Sequence, residues 1–307
     1  MPTPQVAPLR PPAPPQVPQN LKGIGLMAMG FFCFAAGDVQ GKILTADLNP
    51  FQIVWFRQSG LMIGVLIMLS LRGFHLLRTP NPGLQIGRGM AAVVSACCFM
   101  FAIAYVPLAD ATAVSFVAPF ILTVLGALFL KEPVGLRRWA AVFVGFIGML
   151  IVIRPGMGVF HPAIGLVILA AAAFALRQAL SRWLSGADGV ATTVAYTSLT
   201  SSLILTLVQP FIWETPDTAR LWLLIGGMTL CAAAGEILVI RALDIAQAVA
   251  LAPVHYTLIL WSTFYGFIIF SDLPDGWTLL GCAVIVASGL YTLNRERLAA
   301  QQARRKG

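Results

Sequence analysis

The chain has 307 residues, 58% of them hydrophobic and only 10% charged, with a formal net charge of +8. A soluble domain carries charge on about a quarter of its residues, so this composition excludes an ordinary soluble globule. The basic residues stand between apolar runs, which reads as a topological signal for membrane insertion and argues against a nucleic-acid partner.

Taken in order, residues 2–18 hold eight prolines, the composition of an extended, solvated tail. This tail lacks the basic start and short apolar core of a signal peptide, and the run from Leu21 to Leu44 is long enough to span a bilayer. Cleavage after Ala35-Ala36-Gly37 is the minor alternative. Ten spans are predicted at about 21–44, 51–71, 84–106, 109–130, 136–153, 162–184, 190–212, 219–242, 246–270 and 275–293. Turn residues mark the short connections, among them Asn49-Pro50, Thr79-Pro80-Asn81-Pro82-Gly83, Pro155-Gly156, Ser185-Gly186 and Thr215-Pro216. The spans must be helical, because hydrocarbon offers no partner to an unpaired backbone group. Cys33, Cys97, Cys98, Cys231 and Cys282 all lie inside apolar runs without metal-ligand spacing and read as small packing residues.

With the amino-terminal tail in the cytoplasm, fifteen Lys and Arg fall on cytoplasmic ends and loops, whereas only Lys42, Arg154 and Arg220 fall on the opposite side. Both termini are therefore expected in the cytoplasm.

Residues 25–44 align without gaps on residues 165–184, placing Phe34 on Phe174, Ala35 on Ala175, Lys42 on Arg182 and Leu44 on Leu184, an offset of 140. Near that offset Ala109-x-Ala111 falls on Ala246-x-Ala248, and Glu132-Pro133 is echoed by Asp272-Leu273-Pro274. Each half, 21–155 and 160–294, then holds five spans, and an odd number inserts the second half upside down. The expected fold is an all-α membrane protein of ten transmembrane helices in two inverted five-helix repeats, flanked by the Pro-rich tail (1–20) and a basic tail (295–307). Chance similarity among alanine- and leucine-rich helices is the alternative.

Two spans carry a proline near the midplane, Pro119 and Pro253, each lacking an N–H and so freeing the carbonyls of Ser115 and Val249. Such carbonyls are tolerated only where protein or a watery cavity covers them, and there they suit a substrate ammonium; a simple packing kink is the alternative. Ionisable groups inside spans are few, and an Arg at mid-helix costs about 2.5–3.5 kcal/mol on the insertion scale. Asp38 and Arg57 are placed to pair near one mouth, Arg177 and Glu236 near the other, in gating or helix-pairing roles, unless Arg177 snorkels to the interface. His255 is the one histidine within a span, about 13 Å from its cytoplasmic end at 1.5 Å per residue; proton relay and a neutral hydrogen-bonded histidine both fit. Tyr256, Trp261, Tyr196, Tyr105 and Phe99 are candidate aromatic walls, and Gln58, Gln178 and Ser115 candidate polar lining. The substrate site is expected between the repeats near Pro119, Pro253, His255 and Tyr256.

Arg57, the run Tyr105-x-Pro107-Leu108-Ala109-x-Ala111, Pro119, Lys131-Glu132-Pro133 and Gly145-x-x-Gly148 resemble the drug/metabolite transporter superfamily, in particular its EamA-type members, over about residues 21–294. Within it the chain looks most like the bacterial YddG-type exporters of aromatic and other apolar amino acids. The resemblance implies a secondary transporter of the bacterial inner membrane that exports small zwitterions by alternating access, working without a cofactor and as a monomer. Multidrug or other metabolite export, and flipping of a lipid-linked substrate, are the alternatives. The second repeat departs from the pattern, with Asp272 at the acidic position and His255-Tyr256 where Ala118-Pro119 stand in the first. Asp38 lies later in its helix than the coupling carboxylate of the small multidrug exporters, so that role is not carried over. Intramembrane catalysis finds no support: there is no His-Glu-x-x-His or Gly-x-Ser-x-Gly, and His75 and His161 lie in loops. The spans also lack the clustered Arg and Lys a phosphate-rich solute needs, which favours a zwitterion with an apolar side chain.

A membrane-impermeant thiol reagent applied outside cells is expected to reach cysteines engineered near Asn49, Glu214 and Asp272, and not those near Pro82 or Gly186. The reverse pattern overturns the orientation.

Overall fold

Lipid leaves helix as the state open to the apolar runs, and the chain takes it at all ten places. The computed structural model describes residues 20–128, 136–154, 161–184, 188–246 and 251–306. Its helices are α1 (Asn20–Leu44), α2 (Pro50–Arg72), α3 (Pro82–Ile103), α4 (Leu108–Ser115), α5 (Ala118–Leu128), α6 (Leu136–Ile153), α7 (Ile164–Leu184), α8 (Val190–Ile212), α9 (Ala219–Ile245), α10 (Thr257–Phe270) and α11 (Gly276–Lys306). Seven described stretches are long and apolar enough to cross a membrane, and Val142–Ile153, Val254–Phe270 and Gly276–Tyr291 are shorter apolar helices that complete the ten. Starts and stops follow local chemistry. Asn49 accepts from the Phe51 N–H ahead of Pro50, Thr218 accepts from the Leu221 N–H, and Gly73 ends α2 at φ 90°.

Two expectations are corrected. The fourth span is two helices: Phe116 and Val117 form a 3₁₀-like turn through N–H bonds to the Ala113 and Val114 carbonyls, and α5 restarts at Ala118. Pro119 thus sits in a first turn, where its missing N–H leaves no helical bond unmade. The described part of the ninth span opens with a 3₁₀ turn, Ala252–Tyr256, so the depth of His255 counted at α-helical rise does not hold. The basic tail continues as helix, since α11 runs to Lys306. Lys131-Glu132-Pro133, Pro155-Gly156, Ser185-Gly186 and the Val249 carbonyl lie outside the described residues.

The ends of the helices collect on two faces. A terminal face carries the start of α1, where Gly23 meets Ala246, and the loop before α3, where Thr79 and Gln85 bond Asp188. On the far face, Gln52 of α2 exchanges two hydrogen bonds with the Glu214 backbone, at 2.6 and 3.0 Å. Packing between spans depends on small residues, as expected where lipid removes the hydrophobic drive between helices. α1 crosses α9 with Gly30 against Gly235, and α7 lies on α3 where the Ser95 hydroxyl donates to the Ala170 carbonyl at 2.9 Å. Each of those residues is displaced by 140 from its counterpart, Gly30 to Ala170 and Ser95 to Gly235. Gly60 of α2 packs on Thr229 of α9, and Gly89 of α3 on Thr200 of α8. That is one Gly–Thr contact written twice at the same offset with the roles exchanged. α6 and α11 meet at Gly148 and Gly281, each against the other's backbone carbonyl.

A Cβ on Gly281 would stand 2.7 Å from the Gly148 carbonyl oxygen, forcing the helices apart. Gly281→Leu is therefore expected to lower stability by about 1–3 kcal/mol. Gly25→Ala and Gly165→Ala, which meet open space, are expected to be neutral or slightly stabilising in the same thermal unfolding measurement.

Candidate functional site

One face of α1 organises the interior. Met27, Phe31, Ala35 and Asp38 follow each other at helical spacing and are all buried, with 1%, 7%, 0% and 8% of their surface exposed; Lys42 continues the row. Along this row Phe31 and Asp38 are separated by about 10 Å, and Asp38 and Lys42 by about 6 Å. Each of the three touches a group brought from another span. The Phe31 ring lies 4.9 Å from that of His255. The Arg57 guanidinium donates to Asp38 Oδ1 at 2.6 Å, with 23% and 11% of their side chains exposed. Lys42 Nζ donates to the Val106 carbonyl at 2.8 Å, lies 5.0 Å over the Phe270 ring and reaches Asp272 Oδ2 at 4.0 Å. A charge this deep needs a partner, because desolvation costs several kcal/mol per ion.

The far face is tied together beyond Lys42. Arg154 Nη2 meets Asp275 Oδ2 at 2.6 Å, and the Thr278 N–H donates to Asp275 Oδ1 at 2.8 Å. The Thr278 hydroxyl lies within reach of both the Asp275 and the Asp110 carboxylates, with one proton to donate to either. The ends of α1, α3, α4, α6, α10 and α11 are thereby fastened at one mouth. Arg154 and Ser271, at two of these corners, adopt positive φ of 47° and 58°. Such a backbone is held only where its surroundings fix it.

The terminal half is fastened differently. Arg88 Nε donates to Ser181 Oγ at 2.6 Å, and its Nη1 to the Thr193 carbonyl and the Thr197 hydroxyl. Arg177 stacks 4.8 Å over the Phe174 ring. The charge of Glu236 reaches both arginines, yet among the described residues neither makes an ion-pair contact with it. Phe174 is 38% exposed, while its counterpart Phe34 is half-buried against Gly235. His255 is also exposed, and Gln178 half-buried.

The broken spans meet at the centre. The Phe116 and Tyr256 rings stack at 5.2 Å, and the buried Thr112 hydroxyl, which donates to the Leu108 carbonyl, accepts from the Ser262 hydroxyl at 3.0 Å. Tyr256 is wedged, its hydroxyl filling the place of a Gly289 side chain. Trp261 packs edge-on against Phe32 at 5.2 Å, with its Nε1 buried and without a hydrogen-bond partner. Other candidates are placed apart. Tyr196 donates to the Leu77 carbonyl at 3.0 Å on the terminal face, the Ser115 hydroxyl is spent on the Thr112 carbonyl, and Pro119 is exposed. Gln58 is half-buried on α2, one residue past Arg57. Tyr105 stacks on His161 at 5.5 Å on the far face. The cavity of about 270 Å³ between α5 and α6, walled by Phe120, Trp139, Phe143 and Phe146, has no polar lining and offers a zwitterion nothing. The sequence reading treated Lys42 and Arg154 as topological exceptions and left Arg88, Asp110, Asp275 and Thr278 out of the site. Two of the three exceptions to the positive-inside bias, Lys42 and Arg154, meet acidic residues of the loop between the last two spans, Asp272 and Asp275.

The Asp275 carboxyl, outside the spans, is held below its ordinary range, first by the Thr278 N–H and then by the Thr278 hydroxyl and Arg154. A depressed carboxyl stabilises the fold above its unfolded-state value, about 3.9, and that contribution vanishes as pH falls through the folded value. Asp275→Asn is therefore expected to lower the unfolding temperature at pH 7, with the difference from the unaltered protein closing below about pH 4. A difference that persists undiminished in acid overturns the role of the carboxylate.

Residues 21–154 match the EamA-like transporter family. The chain is 27% identical to an S-adenosylmethionine uptake transporter of Rickettsia felis, over 91% of this chain and 95% of that one. It is 26% identical to a pseudopaline exporter of Pseudomonas aeruginosa, over 87% and 94%. It is 30% identical to a riboflavin transporter of Vibrio cholerae, over 69% and 72%. A solved crystal structure shares the fold, with a TM-score of 0.61 at 18% identity over 89% of this chain and 98% of that one. These relatives move chemically diverse solutes and do not single out the amino-acid exporters. Broken helices meeting at the centre, a charged row along α1 and these relatives agree: the chain is a multi-pass membrane transporter belonging to the EamA-like family.

Proposed function

We propose that this protein exports small zwitterionic metabolites with an apolar or aromatic part, aromatic and other apolar amino acids foremost, by alternating access between its two halves, 21–155 and 160–294. The observation that carries this reading is the row on α1, where an aromatic contact, a buried ion pair and a lysine follow one another across the span. A zwitterion needs both signs of charge within a few ångströms and a dry wall for its side chain; Asp38 with Arg57 supplies the charges, and Phe31, Phe32 and Trp261, about two turns back along α1, supply the wall. In the conformation seen here the far mouth is fastened by Lys42, Arg154 and their acids, while His255 and Phe174 stand exposed in the terminal half. With the termini in the cytoplasm of a bacterial inner membrane, that is an inward-facing state of a monomeric carrier.

The relatives favour a second reading of the cargo. S-adenosylmethionine is itself an amino acid bearing a flat heteroaromatic ring, and riboflavin is a flat ring system, so a larger heteroaromatic solute fits the same description. Counterflow in liposomes separates the two. Labelled phenylalanine, leucine and threonine are expected to exchange roughly tenfold faster than aspartate or lysine, the discrimination given by one unmatched buried charge. Exchange of S-adenosylmethionine or riboflavin with no exchange of amino acids moves the assignment to the second reading. Equal rates for charged and apolar amino acids overturn the zwitterion reading, and Asp38→Asn and Arg57→Gln are each expected to slow exchange.

A further inference from the structure

Among the described residues, the basic groups of the interior are matched except for Arg177. Asp38 has Arg57, Arg154 has Asp275, and Arg88 has the Ser181 and Thr197 hydroxyls and the Thr193 carbonyl. Arg177 has none of these. Its Nε is buried without a hydrogen-bond partner, and among the described residues its guanidinium donates no hydrogen bond and enters no ion pair. What it does have is the exposed Phe174 ring at 4.8 Å and, across on α9, the charge of Glu236, within electrostatic reach and out of contact. Arg88 lies close enough to repel it, so the unmatched guanidinium costs more there than it would alone.

The repeat itself does not call for this side chain. At the offset of 140 the counterpart of Arg177 is Gly37, which packs in the α1–α9 crossing with no side chain at all. An arginine whose Nε is buried without a hydrogen-bond partner, with a carboxylate within electrostatic reach and out of contact, leaves room for a ligand carrying both charges. We propose that Arg177 and Glu236 are the two ends of a zwitterion seat: the guanidinium takes the solute's carboxylate as a two-pronged donor, Glu236 takes its ammonium, and Phe174 supports its apolar part. This rests on the zwitterion reading above and adds to it the terminal-side seat from which the solute is loaded.

The experiment is thermal unfolding of the purified full-length protein with three probes: phenylalanine, phenethylamine, which lacks the carboxylate, and 3-phenylpropionate, which lacks the ammonium. Phenylalanine is expected to raise the unfolding temperature of the unaltered protein most. Arg177→Gln is expected to bind phenylalanine roughly tenfold more weakly and no better than phenethylamine, and Arg177→Lys to keep part of the preference. Glu236→Gln is expected to remove the preference for phenylalanine over 3-phenylpropionate. Without ligand, Arg177→Gln is expected to be as stable as the unaltered protein or more so, because it removes an unmatched charge. Retention of the phenylalanine preference in Arg177→Gln overturns the seat. If the unaltered protein responds to none of the probes, the substrate reading fails. The ligand-free comparison still decides this proposal, since stability lost in Arg177→Gln would mean that the guanidinium serves the fold.

Discussion

A charge inside a bilayer has to be matched, and the sequence rarely supplies the match from the same helix. Asp38 and Arg57 come from adjacent spans and close at 2.6 Å. Lys42 and Asp272 are separated by most of the chain, as are Gln52 and the Glu214 backbone it bonds. Each of these contacts fixes the ends of two spans relative to each other, so the matching of polar groups places the helices as much as packing does. Because the low-dielectric interior penalises a broken pair far more than it rewards a formed one, each of these contacts resists separation of the spans it joins.

Small residues do the complementary work. The close crossings, Gly30 with Gly235, Gly60 with Thr229, Gly89 with Thr200 and Gly148 with Gly281, bring backbones together where larger side chains would hold them apart. Near the midplane two spans break, and the breaks are covered by each other through Phe116 on Tyr256 and Thr112 on Ser262. Backbone groups left open by a broken helix are tolerated in lipid only under such cover.

The two halves share these crossings and differ in charge. At the offset of 140, Asp38 corresponds to Gln178, Arg57 to Thr197 and Gly37 to Arg177. Equivalent helices therefore present an ion pair toward the far face and an unmatched arginine toward the terminal face. A carrier built from two interchangeable halves would have no preferred direction of fastening. The charge difference gives the two mouths different chemistry while leaving the helix packing alike.

Sequence alone determined the parts that depend on composition and local chemistry: ten apolar spans, connections at Asn49-Pro50 and Thr215-Pro216, the offset of 140 and the suspicion attached to Asp38, Arg57, Arg177 and Glu236. Hydropathy and caps act within a few residues of one another, so they can be read along a line. Tertiary structure decided which of those charges meet. It closed Asp38 on Arg57 but left Arg177 and Glu236 apart, and it turned Lys42 and Arg154 from topological exceptions into the fastening of one mouth. It also engaged Tyr256, Tyr196 and the Ser115 hydroxyl in packing and backbone bonds. A side chain's partner is set by the rotation and depth of two helices together, and no pattern within either helix encodes that.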